Sequence, residues 1–220
     1  MILSLENIDL SIQSTPILHG LSLNVEEGEI VGLVGRNGAG KTTTMRTIMG
    51  LIKPSSGTVK VGGVDITRME AHRRPALGLG YMPEDRRLVP ELTVEENMLL
   101  PSWVNRALDQ TAALKFIYDL MPELVTMRER KAMLLSGGQQ KMVALGRALV
   151  AGTKILLLDE PFEGVAPALA QRIAEVIATL KNEKRSALIA QSELSHSVLL
   201  LDREYTIERG GIVSESASGD

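Results

Sequence analysis

Gly35-Arg36-Asn37-Gly38-Ala39-Gly40-Lys41-Thr42 follows the apolar run Ile30-Val31-Gly32-Leu33-Val34 and leads into Thr43-Thr44-Met45-Arg46. The spacing is G-x-x-x-x-G-K-[ST], and a strand before it with a helix after it is the setting that pattern requires. Glycines allow backbone N–H groups to close around a polyphosphate, and the helix N-terminus adds partial positive charge. Lys41 can reach β- and γ-phosphates, and the Thr42 hydroxyl can ligate Mg²⁺. Gly35 through Thr43 are therefore the expected nucleotide-binding residues. This one stretch predicts an α/β fold built around a triphosphate site.

Composition narrows the rest. The chain has 220 residues, 44% hydrophobic and 23% charged, as expected of one globular domain. A formal net charge of −3 offers no electrostatic case for nucleic acid. With no cysteines, disulfides, thiolate metal sites and a cysteine nucleophile are excluded. The first residues lack the features of a signal peptide, and no apolar run is long enough to span a bilayer. The expectation is a cytosolic chain that meets a membrane only through a partner.

Working outward, Leu3 to Ile12 and Leu21 to Val25 alternate as strands do. Gly50 is placed to end the helix that starts at Lys41, and Thr58 to Ile66 reads as a hairpin turned at Gly62-Gly63. After a short strand stopped by Pro83 the pattern turns helical from about Arg86 to Val150, with Thr93-x-x-Glu96 as a capping box. The core resumes at Lys154, continues through an amphipathic helix from about Pro167, and closes with strands around Arg209-Gly210. These spacings predict core segments at about 1–85 and 151–213 with a helical insertion at 86–150. Residues 214–220 read as a frayed tail.

Two further stretches carry chemistry. Ile155-Leu156-Leu157-Leu158-Asp159-Glu160 is a buried strand ending in two carboxylates that alternation sends in different directions. Asp159 is placed to hold Mg²⁺ and Glu160 to accept a proton from an attacking water. In Leu135-Ser136-Gly137-Gly138-Gln139, Ser136 can cap a helix whose N–H groups the glycines leave open, making a second anion site. One copy has no evident need of two anion sites. Two copies head to tail would use both.

With these motifs in place, nearly the whole chain resembles the ATP-binding subunit of an ABC transporter. Walker A lies at Gly35 to Thr42, the LSGGQ signature at Leu135 to Gln139 and Walker B at Ile155 to Asp159, followed by Glu160. The closest likeness is to the second ATPase of branched-chain amino acid importers, carried by Tyr81 to Arg87, Leu92 to Asn97, Glu160 to Pro167 and Ile189-Ala190-Gln191-Ser192. The resemblance implies a P-loop NTPase (RecA-like) core with an antiparallel β subdomain and a helical ABC-specific insertion. It also implies ATP and Mg²⁺ as ligands and a head-to-tail ATPase dimer in which Ser136, Gly137, Gly138 and Gln139 face the other copy's nucleotide. Permease subunits would hold the chain at the cytoplasmic face of the membrane, a binding protein outside would act indirectly, and nucleic acid is not implied.

The sequence departs from the family pattern at three places. Glu84 stands at the Q-loop position, where a carboxylate can approach Mg²⁺ or accept from water but cannot donate as an amide does. Gln191 is assigned to the switch position, where it can donate to phosphate but carry no proton. His196, a few residues on, reads as a surface residue. Ile12 takes the place of the usual adenine-stacking aromatic, so base recognition is expected to be weak and apolar. A soluble ABC ATPase of DNA repair or translation lacks support, because the chain has no coiled coil, zinc site or second cassette. A non-hydrolysing regulatory paralogue is the other alternative, prompted by Glu84 and Gln191.

Overall fold

The computed structural model describes residues 1–192 and 200–217, so His196 lies outside the described residues. The chain begins with β1 (Leu3–Ile12) and β2 (Thr15–Val25), then β3 (Ile30–Val34), which feeds α1 (Lys41–Ile48). Next come β4 (Ser56–Val61), β5 (Val64–Asp65) and β6 (Leu79–Met82). The helical stretch holds α2 (Val94–Val104), α3 (Gln110–Leu120) and α4 (Gly137–Ala151). It is followed by β7 (Ile155–Asp159), α5 (Pro167–Asn182), β8 (Ser186–Gln191), β9 (Arg203–Glu208) and β10 (Gly211–Ala217).

Two sheets result. One is antiparallel, in the order β2-β1-β4-β5. The other runs β10-β9-β3-β8-β7-β6, parallel from β9 to β6 with β10 antiparallel at the edge. Strands β7 and β8 are buried throughout, because layers cover both faces of a parallel sheet and the sequence is apolar from Ile155 to Leu158 and from Ala187 to Ala190. Ile155, Leu157, Leu188 and Ala190 face α1 and the antiparallel sheet. Leu156, Leu158, Ala187 and Ile189 face the opposite layer of α2, α4 and α5. The phosphate loop leaves the C-terminal end of β3, where open α/β sheets place ligands.

Local signals in the sequence are realised in detail. Gly62 and Gly63 both take positive φ between Val61 and Val64, as a two-residue hairpin turn requires. Thr93 Oγ1 accepts from the Glu96 amide at 3.2 Å while Glu96 Oε2 accepts from the Thr93 amide at 2.8 Å, completing the capping box of α2. One expectation fails: Ser214 to Ala217 belong to β10 and do not fray. Arg203 on β9 draws that strand in, donating to Glu215 Oε1 at 2.6 Å and to both oxygens of Glu29. A polar stretch can hold an edge strand when its partners come from elsewhere in the sheet.

Candidate nucleotide-binding and hydrolysis site

α1 starts directly from the glycine loop. Gly40 is its N-cap residue at φ +115°, a backbone that side-chain-bearing residues seldom adopt. Gly35 needs its missing Cβ for a different reason, since one built there would lie 2.3 Å from the Ile207 carbonyl oxygen. The loop is tied back by Gly35 N–H donating to Gln191 O at 3.2 Å and Gly210 N–H to Ala39 O at 2.9 Å. The first-turn N–H groups of α1 have no intrahelical acceptor and open toward an anion. They edge a cavity of about 400 Å³ lined by Asn37, Gly38, Gly40, Lys41, Thr42, Thr43, Glu84 and Glu160, with Ile17 supplying its apolar edge.

Inside the cavity Lys41 is buried, and its Nζ donates to Gly35 O at 2.6 Å and Ser192 Oγ at 3.0 Å. It also pairs with Glu160 Oε1 at 3.1 Å. The Ser192 hydroxyl donates to Glu160 Oε1 at 2.6 Å and its amide to Glu160 Oε2 at 3.1 Å. The Asn37 amide group lies 2.7 Å from the same hydroxyl. Asp159, fully buried, accepts from Thr42 Oγ1 at 3.1 Å and faces Tyr81 Oη at 3.4 Å. Burial pushes the Asp159 carboxyl up to about 6; the nearby charges of Glu84 and Glu160 add to this, and the Thr42 hydroxyl opposes it.

Both carboxylates therefore meet the phosphate loop, against the alternation expected of adjacent strand residues. Asp159 lies on the α1 face by regular alternation from Leu157. Glu160 sits at φ +50°, in the left-handed region, and this breaks the strand pattern so that its side chain turns toward Lys41 and Ser192. Such a conformation in a non-glycine residue costs about 1–3 kcal/mol and persists only where surroundings enforce it.

Gln191 is the last residue of β8 and is buried, and it is not among the residues that line the cavity. The following residue, Ser192, makes the contacts with Lys41 and Glu160. The sequence signal was a one-residue ambiguity in Ile189-Ala190-Gln191-Ser192, which only strand register resolves. Ile12 pairs with Thr15 at the end of β1, is 40% exposed, and does not line the phosphate cavity. Ile17 is the aliphatic residue that does.

Glu84 faces the cavity from a loop held by α4, where Arg147 donates to the carbonyls of Arg86 (2.5 Å) and Arg87 (2.6 Å). At the N-terminus of α4, Ser136 Oγ accepts from the Gln139 amide at 3.3 Å while Gln139 Oε1 accepts from the Ser136 amide at 3.0 Å. Ser136 and Gly137 are exposed. Among the described residues, none of the four from Ser136 to Gln139 lines the phosphate cavity, so a single chain does not bring its two anion-binding elements together.

The donor set suits a small hard cation. Thr42 and Asp159 offer oxygen ligands 3.1 Å apart, and no cluster of three or more His, Asp or Glu among the described residues is arranged to hold a metal alone. That fits Mg²⁺, which takes one or two protein oxygens and completes its shell with phosphate and water. Away from this site, a largely apolar cleft of about 530 Å³ opens between the end of α1, β6 and α2, with Leu51, His72, Tyr81, Leu100 and Val104 on its walls. No helix among the described residues is long and apolar enough to cross a membrane.

Comparison with known proteins agrees with this geometry. Residues 18–163 match the family described as ABC transporter. The chain is 35% identical to the high-affinity branched-chain amino acid transport ATP-binding protein BraG of Pseudomonas aeruginosa, over 96% of this chain and 91% of that one. It is 34% identical to the lipopolysaccharide export system ATP-binding protein LptB of Haemophilus influenzae, over 97% and 89%. A crystal structure of a nucleotide-free ATP-binding cassette from an ABC transporter superposes with a TM-score of 0.87 at 30% identity, covering 99% of this chain and 91% of that one. A complete phosphate loop, a strand-end carboxylate pair facing it, and likeness along nearly the whole length lead to one conclusion: this chain belongs to the ABC transporter family and is an ATP-hydrolysing, ATP-binding subunit.

Proposed function

We propose that this subunit powers uptake of branched-chain amino acids, or of a related small amino acid or amide, through separate permease subunits at the cytoplasmic face of the membrane. The observation that carries the substrate class is the likeness to BraG along 96% of the chain. The apolar cleft beside α2 supports the coupling, since it offers a helix of a permease an apolar seat close to the Glu84 loop. Residues 1–217 act as one ATPase unit in this reading, with 86–150 as its helical arm. An external binding protein would deliver substrate to the permease.

Lys41 leaves Glu160 for the β- and γ-phosphates as ATP enters, and the amides from Gly38 to Thr43 cradle the phosphates. Freed from that ion pair, Glu160 is the general base that accepts the proton of the attacking water. Ser192 keeps the Glu160 carboxylate oriented and can turn its hydroxyl to the γ-phosphate. Thr42 and Asp159 would hold Mg²⁺, with Glu84 within reach of its water shell; the ion would neutralise charge on the phosphates. Ser136, Gly137, Gly138 and Gln139 of a second ATPase subunit, identical or homologous, would close the site from the other side. Their capping box can stay closed for this, because Ser136 Oγ and Gln139 Oε1 act in it only as acceptors and leave the Ser136 hydroxyl and the Gln139 amide donors for the phosphate.

The near-equal likeness to LptB favours a second reading, export of a lipid-linked saccharide. Deletion of the gene, followed by uptake of labelled leucine and by affinity purification from membranes, separates the two. The first reading expects lost uptake and recovery of polytopic permeases. Intact uptake with defective delivery of lipopolysaccharide to the cell surface would sink it in favour of the second. Recovery of ribosomes or nucleic acid alone would exclude both.

A further inference from the structure

We propose that Lys141 is a positioning residue for hydrolysis, holding the turn after β7 so that Glu160 faces the phosphate site; this rests on the reading of Glu160 as the general base. Lys141 lies early in α4, two residues after the signature motif, and its side chain is buried. A cation near a helix N-terminus opposes the helix dipole and loses hydration when buried, so its placement needs compensating partners. The partners are backbone oxygens: Nζ donates to Glu160 O at 2.8 Å and to Glu163 O at 2.5 Å. Both belong to the turn in which Glu160 adopts φ +50°.

The geometry divides Glu160 between two layers. Its amide donates to Ala190 O at 2.9 Å, its carbonyl accepts from α4 across the sheet, and its carboxylate points to Lys41 and Ser192 on the other face. With amide and carbonyl both anchored, the left-handed backbone is held and the carboxylate has one direction to take. Removing the ammonium would leave the buried Glu160 carbonyl short of a donor, release the part-buried Glu163 carbonyl, and free the turn to relax toward ordinary strand geometry, which carries the carboxylate away from the water it must deprotonate. The same contact joins the signature helix, which meets the second subunit's nucleotide, to the base of its own site.

Full-length Lys141→Met, Lys141→Arg and Glu160→Gln chains are compared with wild type for single-turnover ATP hydrolysis with Mg²⁺ and for equilibrium ATP binding. Methionine fills similar space without a donor, and arginine restores one. The expected result is a kcat lower by about tenfold or more in Lys141→Met, as small displacements of a reacting group produce. ATP affinity should stay within about twofold, and arginine should recover most of the loss. A kcat within about twofold of wild type overturns the proposal. So does loss of affinity in parallel with kcat, or no recovery with arginine. Should Lys141→Met not fold, Lys141→Leu, which likewise has no donor, is judged by the same criteria. Glu160→Gln turning over like wild type would remove the general-base reading and this inference with it. Glu160→Gln inactive beside a fully active Lys141→Met would remove this inference alone.

Discussion

At the scale of single residues, Ser192 and Gln191 are neighbours in sequence. Ser192 bonds the Glu160 carboxylate through hydroxyl and amide, whereas Gln191 is buried at the end of β8 and is not among the residues lining the cavity. Ser192→Ala should lower kcat several-fold, roughly the worth of one hydrogen bond to a charged group, while thermal stability and nucleotide affinity hold. Gln191→Leu should do the reverse, changing the melting temperature and leaving kcat within about twofold. Steady-state kinetics and a thermal melt on both variants test the assignment, and a kcat loss confined to Gln191→Leu would refute it. Asp159 supports a second prediction. Its folded pKa, about 6, lies above the unfolded carboxylate value, so the folded state binds the extra proton and stability falls as pH rises from about 4 to 6. Asp159→Asn removes that penalty while keeping an acceptor for Thr42. Without nucleotide and in EDTA, the variant should melt at least about 2 °C above wild type at pH 8, with the gap narrowing toward pH 5. A gap that widens on acidification would contradict the burial argument.

At the scale of elements, α4 does more than pack. Its first turn carries the signature motif, Lys141 holds the turn after β7, and Arg147 holds the carbonyls of the Glu84 loop. Gly80 lets it approach closely, since a Cβ there would lie 2.0 Å from the Ala148 carbonyl oxygen. The Ser136 cap has two separable functions. Ser136→Ala should cost about 1 kcal/mol of stability, the usual worth of an N-cap. Ser136→Asp should restore the cap and the stability yet abolish ATP-driven dimerisation, because its charge would meet the triphosphate of the second subunit. Denaturant unfolding and size-exclusion chromatography with ATP read the two effects separately. Dimerisation of Ser136→Asp at wild-type ATP concentrations would contradict the composite site.

At the scale of the whole molecule, the catalytic cavity and the apolar cleft lie on different parts of the structure and share the β6–α2 region between them. Tyr81 lines the cleft, and its hydroxyl lies 3.4 Å from Asp159 Oδ2, the carboxylate that accepts from Thr42 of the cavity. Val104, 75% exposed at the end of α2, lies on the cleft wall and not in the hydrolysis site. Val104→Glu should therefore leave the fold and ATP binding of the isolated chain unchanged while greatly reducing recovery of permease subunits from membranes. Unchanged recovery would direct attention to another docking face.

The sequence by itself determined the phosphate loop, the hairpin at Gly62-Gly63, the capping box at Thr93 and Glu96, the Ser136 cap and the run of buried strands. Each depends on interactions within a few residues: a glycine's φ, a side chain reaching its own helix terminus, a period of two or of about four. Those local rules also located Lys41, Thr42, Asp159 and Glu160 in the chain. Tertiary structure decided which way the side chains point and what they meet. Strand register placed Ser192 beside Glu160, and the hairpin of β1 and β2 brought Ile17 to the cavity. A left-handed backbone anchored from α4 turned Glu160 toward Lys41. These outcomes depend on contacts between residues far apart in the chain, which local sequence periodicity does not encode.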